Sequence, residues 1–471
     1  MSAVIGTGTR GLVRALLPSV TPAATSAGRL AQLSSIEGAG GREAWLLLTV
    51  LGAGLPTSQE VESAVRLMRH DGVGALVAKL ARERRHPRRW FGPRIDIVDA
   101  PVLLDVHDSA SSRLMTGVQR VARSIATEWM NRDDVVLVGW STRRTQLLPL
   151  DRSKFLSRTQ RGLFGRRAVV PWGGHYLLAE SINEPERASR IQAIGQYAGL
   201  RSAMVGNDAI PLTTAETTGP GMPGVFAKYL AAASRLDVVA TISAAAAGEY
   251  EGWRAMLSSA GLGGPLIDVV ALPADAGEAP ASAEAEASAL LTEPGMPMVL
   301  VVGSHEPRKN HLAVLHASEV LWREGHEFSL VFIGGNAWNS EEFALSLSEL
   351  RAAGRPVASH AGLPEPILWW AYRLAAFTVF PSFNEGFGLP VAESLASGTP
   401  AVTSNFGSMA ELAGSGGCVL VDPRDDASIA AGMRSLLADP ARLAALTAEA
   451  TGRPPRSWHD YASELWNLVV A

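Results

Sequence analysis

The second half of the chain alternates short apolar runs with longer amphipathic stretches. Four of the runs are bounded by Gly, Pro, Ser or Asn, and they lie at residues 298–303, 329–335, 376–380 and 400–404. Runs of this length between turn residues predict buried strands of a parallel sheet. Similar runs earlier in the chain predict the strands of a second sheet, at residues 101–106, 135–138, 168–170, 176–178 and 238–243. We therefore expect an α/β protein with two sheets.

The first hundred residues show a different pattern. Residues 1–40 are rich in Ala, Gly, Ser, Thr and Pro and have little periodicity, so we expect them to be loosely ordered. Apolar residues recur at three- and four-residue steps over residues 43–82, which predicts helices. Thr57 followed by Glu60 predicts a helix cap. Residues 1–95 are thus predicted to form a flexible segment and a small helical appendage.

Residues 273–296 separate the two predicted sheets. They are rich in Ala, Glu and Pro and lack a strong apolar period, which is typical of a linker. We therefore place one domain at residues 101–272 and a second at residues 297–471. A hinge between them would let the two domains close over a ligand.

Three glycines near the start of the chain match a nucleotide-binding spacing. Gly6, Gly8 and Gly11 fit the G-x-G-x-x-G pattern of a dinucleotide-binding turn. That motif needs a full strand before it and a βαβ unit after it. Too few residues precede Gly6, and Pro18 would end the following helix early. We therefore reject this match, on which a nicotinamide oxidoreductase would depend.

The most informative stretch follows the predicted strand at residues 376–380. Gly386 and Gly388 let the backbone approach a ligand closely, and the residues after them predict a helix at 391–397. The N-terminus of such a helix attracts anions, phosphate above all. Glu385 and Glu393 flank this site, and a carboxylate accepts paired hydrogen bonds from vicinal hydroxyls. Either acid alone is equally well explained as an ordinary loop or helix acid.

The string EGFGLPVAE resembles the E-x7-E signature of retaining glycosyltransferases of family 4. The resemblance implies the GT-B fold, in which two Rossmann-like domains face a cleft. It also implies that Glu385 contacts the donor sugar and that Glu393 holds the nucleotide ribose. The amides predicted to lie near the sugar and phosphate are those of Gly386, Phe387, Gly388 and Leu389.

Other segments resemble the same family. The strand that ends at Gly303 is followed by Arg308 and Lys309, which resemble the family's Arg-Lys pair that neutralises the diphosphate. Residues 111–123, SSRLMTGVQRVAR, resemble the start of the first helix at the cleft, with Gly117 as the residue of close approach. Residues 360–364 are similar to the loop that meets the nucleotide base.

The segment AMVGNDAIP resembles the family's HD-x-x-P loop, with one departure. Asn207 stands where relatives have a histidine, so a group that titrates near neutral pH is missing there. Asp208 is a candidate for the acceptor face and is included among the predicted catalytic residues with Glu385, Arg308 and Lys309. A turn or helix-cap aspartate explains Asp208 equally well.

Composition narrows the class of protein. A net charge of −4 argues against a dedicated nucleic-acid binder. The single cysteine, Cys418, excludes a disulfide framework, and the ten histidines lack metal-ligand spacing. No apolar run approaches the roughly 20 residues of a membrane span, and no signal peptide is evident, so we expect a soluble cytoplasmic protein. The arginine-rich residues 82–94 fit either a solvated linker or a contact with anionic lipids at the inner face of the plasma membrane.

The resemblance to family 4 implies a retaining, metal-independent hexosyltransferase without a cofactor. Its donor would be a nucleoside diphosphate sugar, with GDP or UDP as the nucleotide and mannose or a similar hexose as the sugar. The acceptor would be a glycan, either free or lipid-linked, in bacterial surface polysaccharide synthesis, because the first domain most resembles O-antigen and capsule mannosyltransferases. Two alternatives remain open: a GT-B epimerase of nucleotide sugars, and a nucleotide-binding partner protein that has lost catalysis.

Overall fold

A computed structural model of the chain describes residues 4–84, 94–112, 116–274, 276–277 and 279–470. Within these residues, two sheets of mainly parallel strands are each covered by helices on both faces. The two-sheet α/β architecture expected from the apolar runs is therefore confirmed.

The first sheet contains ten strands among the described residues, in the order β1-β2-β6-β5-β4-β3-β7-β8-β9-β10. Strands β3, β4, β7, β8, β9 and β10 run parallel, whereas β5 and β1 pair antiparallel with their neighbours. The strands are β1 (Val4–Thr7), β2 (Arg94–Asp99), β3 (Val102–Asp105), β4 (Val135–Trp140), β5 (Leu147–Pro149), β6 (Arg167–Trp172), β7 (His175–Leu178), β8 (Arg201–Gly206), β9 (Val238–Thr241) and β10 (Leu266–Val269).

Eleven helices of the described residues belong to this half of the chain. They are α1 (Gly8–Leu16), α2 (Ser26–Ser34), α3 (Gly41–Leu51), α4 (Ser58–Arg84), α5 (His107–Ser111), α6 (Gly117–Trp129), α7 (Arg152–Leu156), α8 (Pro185–Tyr197), α9 (Ile210–Thr213), α10 (Met222–Ala233) and α11 (Ala244–Ser259). The helices predicted over residues 43–82 are α3 and α4, and α4 is kinked at Gly72. Thr57 and Glu60 form the predicted cap, in which the Thr57 amide donates to the Glu60 carboxylate at 2.7 Å.

The expectation of loose order over residues 1–40 is wrong for the described part of that segment. Leu12, Val13 and Leu33 have no solvent exposure and share one apolar core with the first sheet, including Tyr176 and Met204. The apolar residues are too sparse in the sequence to show a period. They are nevertheless sufficient to pack α1 and α2 against α4 and the sheet.

The structure supports the rejection of the glycine fingerprint. The short strand β1 contains Gly6, so only Val4 and Ile5 of that strand precede the first glycine, and α1 ends at Leu16, before Pro18. In addition, β1 pairs antiparallel with β2, and the chain passes through α2, α3 and α4 before β2 begins. The glycines therefore do not open a parallel βαβ unit, which is the context that the motif requires.

The second sheet contains six parallel strands among the described residues, in the order β13-β12-β11-β14-β15-β16. The strands are β11 (Met298–Val302), β12 (Ser329–Ile333), β13 (Val357–His360), β14 (Phe377–Phe380), β15 (Ala401–Ser404) and β16 (Cys418–Val421). The helices are α12 (Glu284–Leu291), α13 (His311–Arg323), α14 (Glu341–Ala352), α15 (Glu365–Leu374), α16 (Leu389–Ala396), α17 (Gly407–Ala413), α18 (Asp426–Leu437), α19 (Pro440–Thr451) and α20 (Trp458–Val469).

Two segments join the halves of the chain. Within residues 273–296, which we predicted to be a linker, α12 buries Ala287 and Leu291 in the core on the α15 side of the second sheet. At the other end of the chain, α20 packs on α6 of the first half, and the Trp129 indole donates to the Ala462 carbonyl at 2.9 Å. The last helix thus crosses back to the first sheet.

Candidate active site

A sharp turn joins strand β14 to helix α16. Gly388 has a φ of 90°, a conformation that favours glycine, and α16 begins at Leu389, two residues earlier than predicted. The first amides of a helix have no partner within the helix and carry a partial positive charge. Helix α6 of the first half begins directly opposite, because a Cβ on Gly117 would lie 3.4 Å from the Leu389 side chain. Two helix N-termini therefore meet at this turn.

Glu385 lies in the turn and is held by three side chains. Its Oε1 pairs with Arg308 Nη1 at 2.6 Å and with Lys309 Nζ at 2.5 Å, and it accepts a hydrogen bond from the Ser382 hydroxyl at 2.8 Å. We call Glu385, Arg308, Lys309 and Ser382 the Glu385 clamp. Gly303, at the end of β11, lies beside the Lys309 side chain, because a Cβ there would be 3.7 Å from Lys309 Cδ.

The clamp fixes the charge of Glu385. Burial raises the pKa of this carboxyl, but Arg308 and Lys309 outweigh burial and lower the pKa to about 2. Arg308 also pairs with Glu306 at 2.6 Å, so two carboxylates offset the two cations. Glu385 is therefore ionised near neutral pH and can accept hydrogen bonds from hydroxyls, but it cannot supply a proton.

Glu393 is the fifth residue of α16 and contacts two other elements. Its Oε1 pairs with Arg120 Nη1 of α6, and its Oε2 accepts a hydrogen bond from the Tyr372 hydroxyl of α15 at 2.7 Å. The Glu393 side chain is 8% exposed. Burial raises its pKa, whereas Arg120 and Tyr372 act in the opposite direction. An ion pair thus connects the two halves of the chain at this residue.

The loop that carries Asn207 and Asp208 touches the turn from the first half. It follows β8, which ends at Gly206, and Asp208 accepts a hydrogen bond from the Ile210 amide at 3.1 Å. Burial raises the pKa of Asp208 to about 6, although Arg308 lowers it. A carboxyl with this pKa changes charge close to neutral pH, which is what a proton acceptor needs.

Hydrogen bonds across the cleft surround the turn. The Asn384 amide donates to Glu249 at 2.9 Å and to Thr213 at 3.0 Å. The Ser243 hydroxyl donates to the Gly386 carbonyl at 2.6 Å, and the same side chain caps α11. The two halves are therefore in direct contact around the clamp.

A cavity of about 410 Å³ opens near the ends of β11, β12 and β13, and it is lined by His305, Asn336, Phe343, Arg351, Ser359 and Ala361. It borders the loop at residues 360–364, which was predicted to meet the nucleotide base. His305 Nδ1 lies 3.0 Å from His311 Nδ1. Burial lowers the pKa of both histidines, so each is neutral and offers one donor and one acceptor.

Buried charges lie beneath the cleft in the first half. Arg187 is fully buried and pairs with Asp105 at 3.1 Å and Asp108 at 3.3 Å. His107, Asp108 and Glu184 form the one group in the described chain whose ligand atoms are close enough together to hold a metal. Both carboxylates already pair with cations, since Arg144 lies 2.7 Å from Glu184. Burial, reinforced by Arg187, lowers the pKa of His107 to about 4.

The structure brings most of the predicted residues together. Gly303, Arg308, Lys309 and the turn from Glu385 to Leu389 form one cluster, and Gly117 and Asp208 approach it from the first half. Their roles in binding and catalysis stay predictions. Sequence reasoning missed Arg120 and Tyr372. Arg120 stands in the quoted TGVQRV string, but the sequence gives no sign that it reaches Glu393.

Part of the basic segment at residues 82–94 lies outside the described residues, namely 85–93. The predicted lipid contact of this segment therefore stays a prediction. Among the helices that the structure describes, none combines the length and the apolar character of a membrane span.

The chain is similar in sequence to known glycosyltransferases. Residues 283–453 match the model of a family described as "Glycosyl transferases group 1". Over 344 residues the chain is 27% identical to the "Serotype-specific mannosyltransferase WbdA" of Escherichia coli, covering 70% of this chain and 40% of that protein. It is 31% identical over 170 residues to the E. coli "O-antigen chain mannosyltransferase B", covering 36% of this chain and 44% of the relative. The chain thus spans less than half the length of either relative.

Solved structures identify the architecture. The sucrose-phosphate synthase of Thermosynechococcus elongatus superposes with a TM-score of 0.58 at 16% identity, covering 78% of this chain and 98% of that one. The chain has the GT-B fold. In this GT-B arrangement the first sheet and its helices form the N-terminal domain, and the second sheet forms the C-terminal domain. The clamp lies at the cleft between them.

Proposed function

We propose that this protein is a retaining glycosyltransferase of family 4, which moves a hexose from a nucleoside diphosphate sugar to a glycan. The observation that carries the proposal is the Glu385 clamp, held against the N-terminus of α16 at the cleft of a GT-B fold. An ionised carboxylate that faces sugar hydroxyls, next to cations and free helix amides, suits a substrate with a sugar at one end and a diphosphate at the other.

The diphosphate would lie between the cations of the clamp and the first amides of α16. Arg308 and Lys309 are paired with Glu385 and Glu306, so the amides from Gly386 to Leu389 would supply part of the positive charge. Such preorganised groups stabilise charge that develops on a leaving group. Glu385 would accept hydrogen bonds from the sugar and orient it.

The transfer breaks the bond between the anomeric carbon and the diphosphate oxygen and forms a bond between that carbon and an acceptor hydroxyl oxygen. The bonding pair leaves with the nucleoside diphosphate, and the acceptor proton passes to Asp208 or to the departing phosphate. Asp208 is suited to accept it because its pKa is about 6. Retention requires the acceptor to attack from the face that the diphosphate leaves.

The proposed sugar and acceptor are based on the names of the relatives. Two of them carry the word mannosyltransferase in their names, and one is named for the O-antigen chain, which supports mannose or a similar hexose and a bacterial surface glycan, free or lipid-linked. GDP and UDP are the nucleotides we propose. We propose no metal and no cofactor, and we place the reaction in the cytoplasm, at the inner face of the plasma membrane when the acceptor is lipid-linked.

The first test is the thermal stability of the purified protein with GDP, UDP, ADP, dTDP, CMP and NAD. A ligand at about 100 times its dissociation constant should stabilise the fold by roughly 2.7 kcal/mol. The nucleotide that raises the melting temperature defines the sugar donors for a transfer assay with glycan acceptors, run with and without EDTA. Release of nucleoside diphosphate that requires the acceptor, with the anomeric configuration kept in the product, would support the proposal.

Other outcomes would overturn it. A change in the donor sugar without nucleotide release would indicate an epimerase. Nucleotide binding without turnover on any acceptor panel would indicate a partner protein that has lost catalysis, with Asn207 as a candidate cause. If NAD were the one ligand that stabilised the protein, the assignment of a nucleotide-sugar site around Glu385 and Glu393 would be wrong.

A further inference from the structure

The ion pair between Arg120 and Glu393 joins residues that are far apart in sequence and belong to opposite domains. Arg120 lies in the first turn of α6, one turn after Gly117, and its side chain is 25% exposed. Glu393 lies on α16 and is more deeply buried, with 8% of its side chain exposed. The guanidinium carbon also lies 5.5 Å from the centre of the Trp369 ring of α15. The N-terminal domain thus supplies a cation to a carboxylate of the C-terminal domain.

Glu393 needs this cation to stay ionised. A buried carboxylate without a positive partner takes up a proton, because burial disfavours the charged form. The groups that act on Glu393 are Arg120 from α6, the Tyr372 hydroxyl from α15, and Glu365, also from α15, whose negative charge opposes ionisation. Arg120 is the positive charge in this set, and a hydrogen bond from Tyr372 alone compensates less well.

The charge state decides what Glu393 can bind. An ionised carboxylate has about four lone-pair sites, and the observed contacts use one on each oxygen, those to Arg120 and Tyr372. The two remaining sites can accept two vicinal hydroxyls. In a protonated carboxyl, one oxygen carries the proton and donates a hydrogen bond. The carboxyl would then have one acceptor site fewer for the hydroxyls.

We propose that Arg120 is a positioning residue of the nucleotide site, which keeps Glu393 ionised across the cleft so that its free lone pairs accept the two ribose hydroxyls of the donor. The inference rests on the proposed function, because it takes the ligand of Glu393 to be a ribose. It also makes nucleotide binding depend on contact between the two domains.

The test measures dissociation constants of UDP and GDP for the full chain between pH 6 and pH 9. The variants are Arg120→Gln and Arg120→Lys, with Arg323→Gln as the matched control. Arg323 is 75% exposed on α13 and pairs only at the surface, with Glu319. The phosphates of the nucleotide gain or lose protons in the same way with every variant. The readout is therefore the ratio of each variant's dissociation constant to that of the wild type at the same pH.

Arg120→Gln should bind about tenfold more weakly than the wild type at pH 6, because its Glu393 carboxyl is then mostly protonated, and should approach the wild type by pH 9. Arg120→Lys and Arg323→Gln should follow the wild type at every pH. A loss with Arg120→Gln that is the same at all pH values, or no loss, would overturn the inference while leaving the proposed function standing. If the wild type binds neither nucleotide, the proposed function fails first.

A second variant covers the case in which Arg120→Gln does not fold. The pair Arg120→Gln and Glu393→Gln together leaves no buried charge unpaired, so it should fold. This double variant should bind the nucleotide more weakly than the wild type, and the ratio of the two dissociation constants should be the same at every pH. Wild-type affinity in this double variant would overturn the inference.

Discussion

Gly386 of the C-terminal domain lies against the backbone carbonyl of Asn207 in the N-terminal domain. A Cβ built on Gly386 would stand 2.2 Å from that oxygen and 3.3 Å from Asp208 Cβ. Real Cβ atoms do not approach backbone oxygens so closely, so an alanine here would force the two loops apart. The contact explains why a glycine follows Glu385 directly: it sets how closely Asp208 can approach the clamp.

We expect Gly386→Ala to lower the rate of sugar transfer at least tenfold, because a shift of about 1 Å in a reacting group can cost far more than that. The purified variant should still fold, since the strain is relieved when the domains separate. The measurement is the transfer rate at saturating donor, together with the melting temperature. Gly252→Ala is the control, because Gly252 lies within α11 with open space around it and alanine favours helix. An unchanged rate in Gly386→Ala would show that this approach is not needed.

The pairing of Glu385 with Arg308 and Lys309 predicts a stability that depends on pH. The pKa of about 2 in the folded protein lies below the ordinary glutamate pKa of 4.5, so the stabilisation is present above about pH 4.5 and is lost as the pH falls towards 2. Glu385→Gln would leave two buried cations with one partner fewer, and removing one member of a buried pair costs about 3–5 kcal/mol. Urea unfolding of the wild type and the variant should show this difference in unfolding free energy at pH 7. The difference should shrink below pH 4, and a constant difference would contradict the assigned ionisation.

The sequence predicted local elements better than it predicted contacts between domains. The strand β14, the turn after it and the helix that follows could be predicted because apolar runs, glycines and Pro390 act over a few neighbouring residues. The Arg120–Glu393 pair could not, because its geometry depends on how two domains dock. Residues 1–40 were misjudged for a related reason. Leu12 and Leu33 are isolated in sequence, and the core that buries them is built from helices and strands distant in the chain.

Lys309 should contribute to diphosphate binding more than to binding of the nucleoside. Its side chain is 10% exposed, and its ammonium pairs with Glu385 and would contact the phosphates of the proposed donor. Hydrogen bonds to charged groups contribute about 1.5–3 kcal/mol, so Lys309→Met should weaken nucleoside diphosphate binding by roughly 10- to 100-fold. Calorimetry with the diphosphate and with the matching nucleoside separates the two effects. Equal losses for both ligands would indicate that Lys309 supports the fold rather than the phosphates.

Asp208 predicts the pH dependence of transfer. Burial raises the pKa of its carboxyl to about 6, so the residue is mostly protonated at pH 5 and mostly ionised at pH 7. If the ionised form accepts the acceptor proton, the rate of the wild type should rise about tenfold between pH 5 and pH 7 and then level off. Asp208→Asn keeps the size of the side chain and its hydrogen bond from the Ile210 amide, but it has no proton to lose. Its rate should be low and flat over the same range, and the control Gly252→Ala should keep the wild-type profile. A rise with pH that persists in Asp208→Asn would show that a group other than Asp208 accepts the proton.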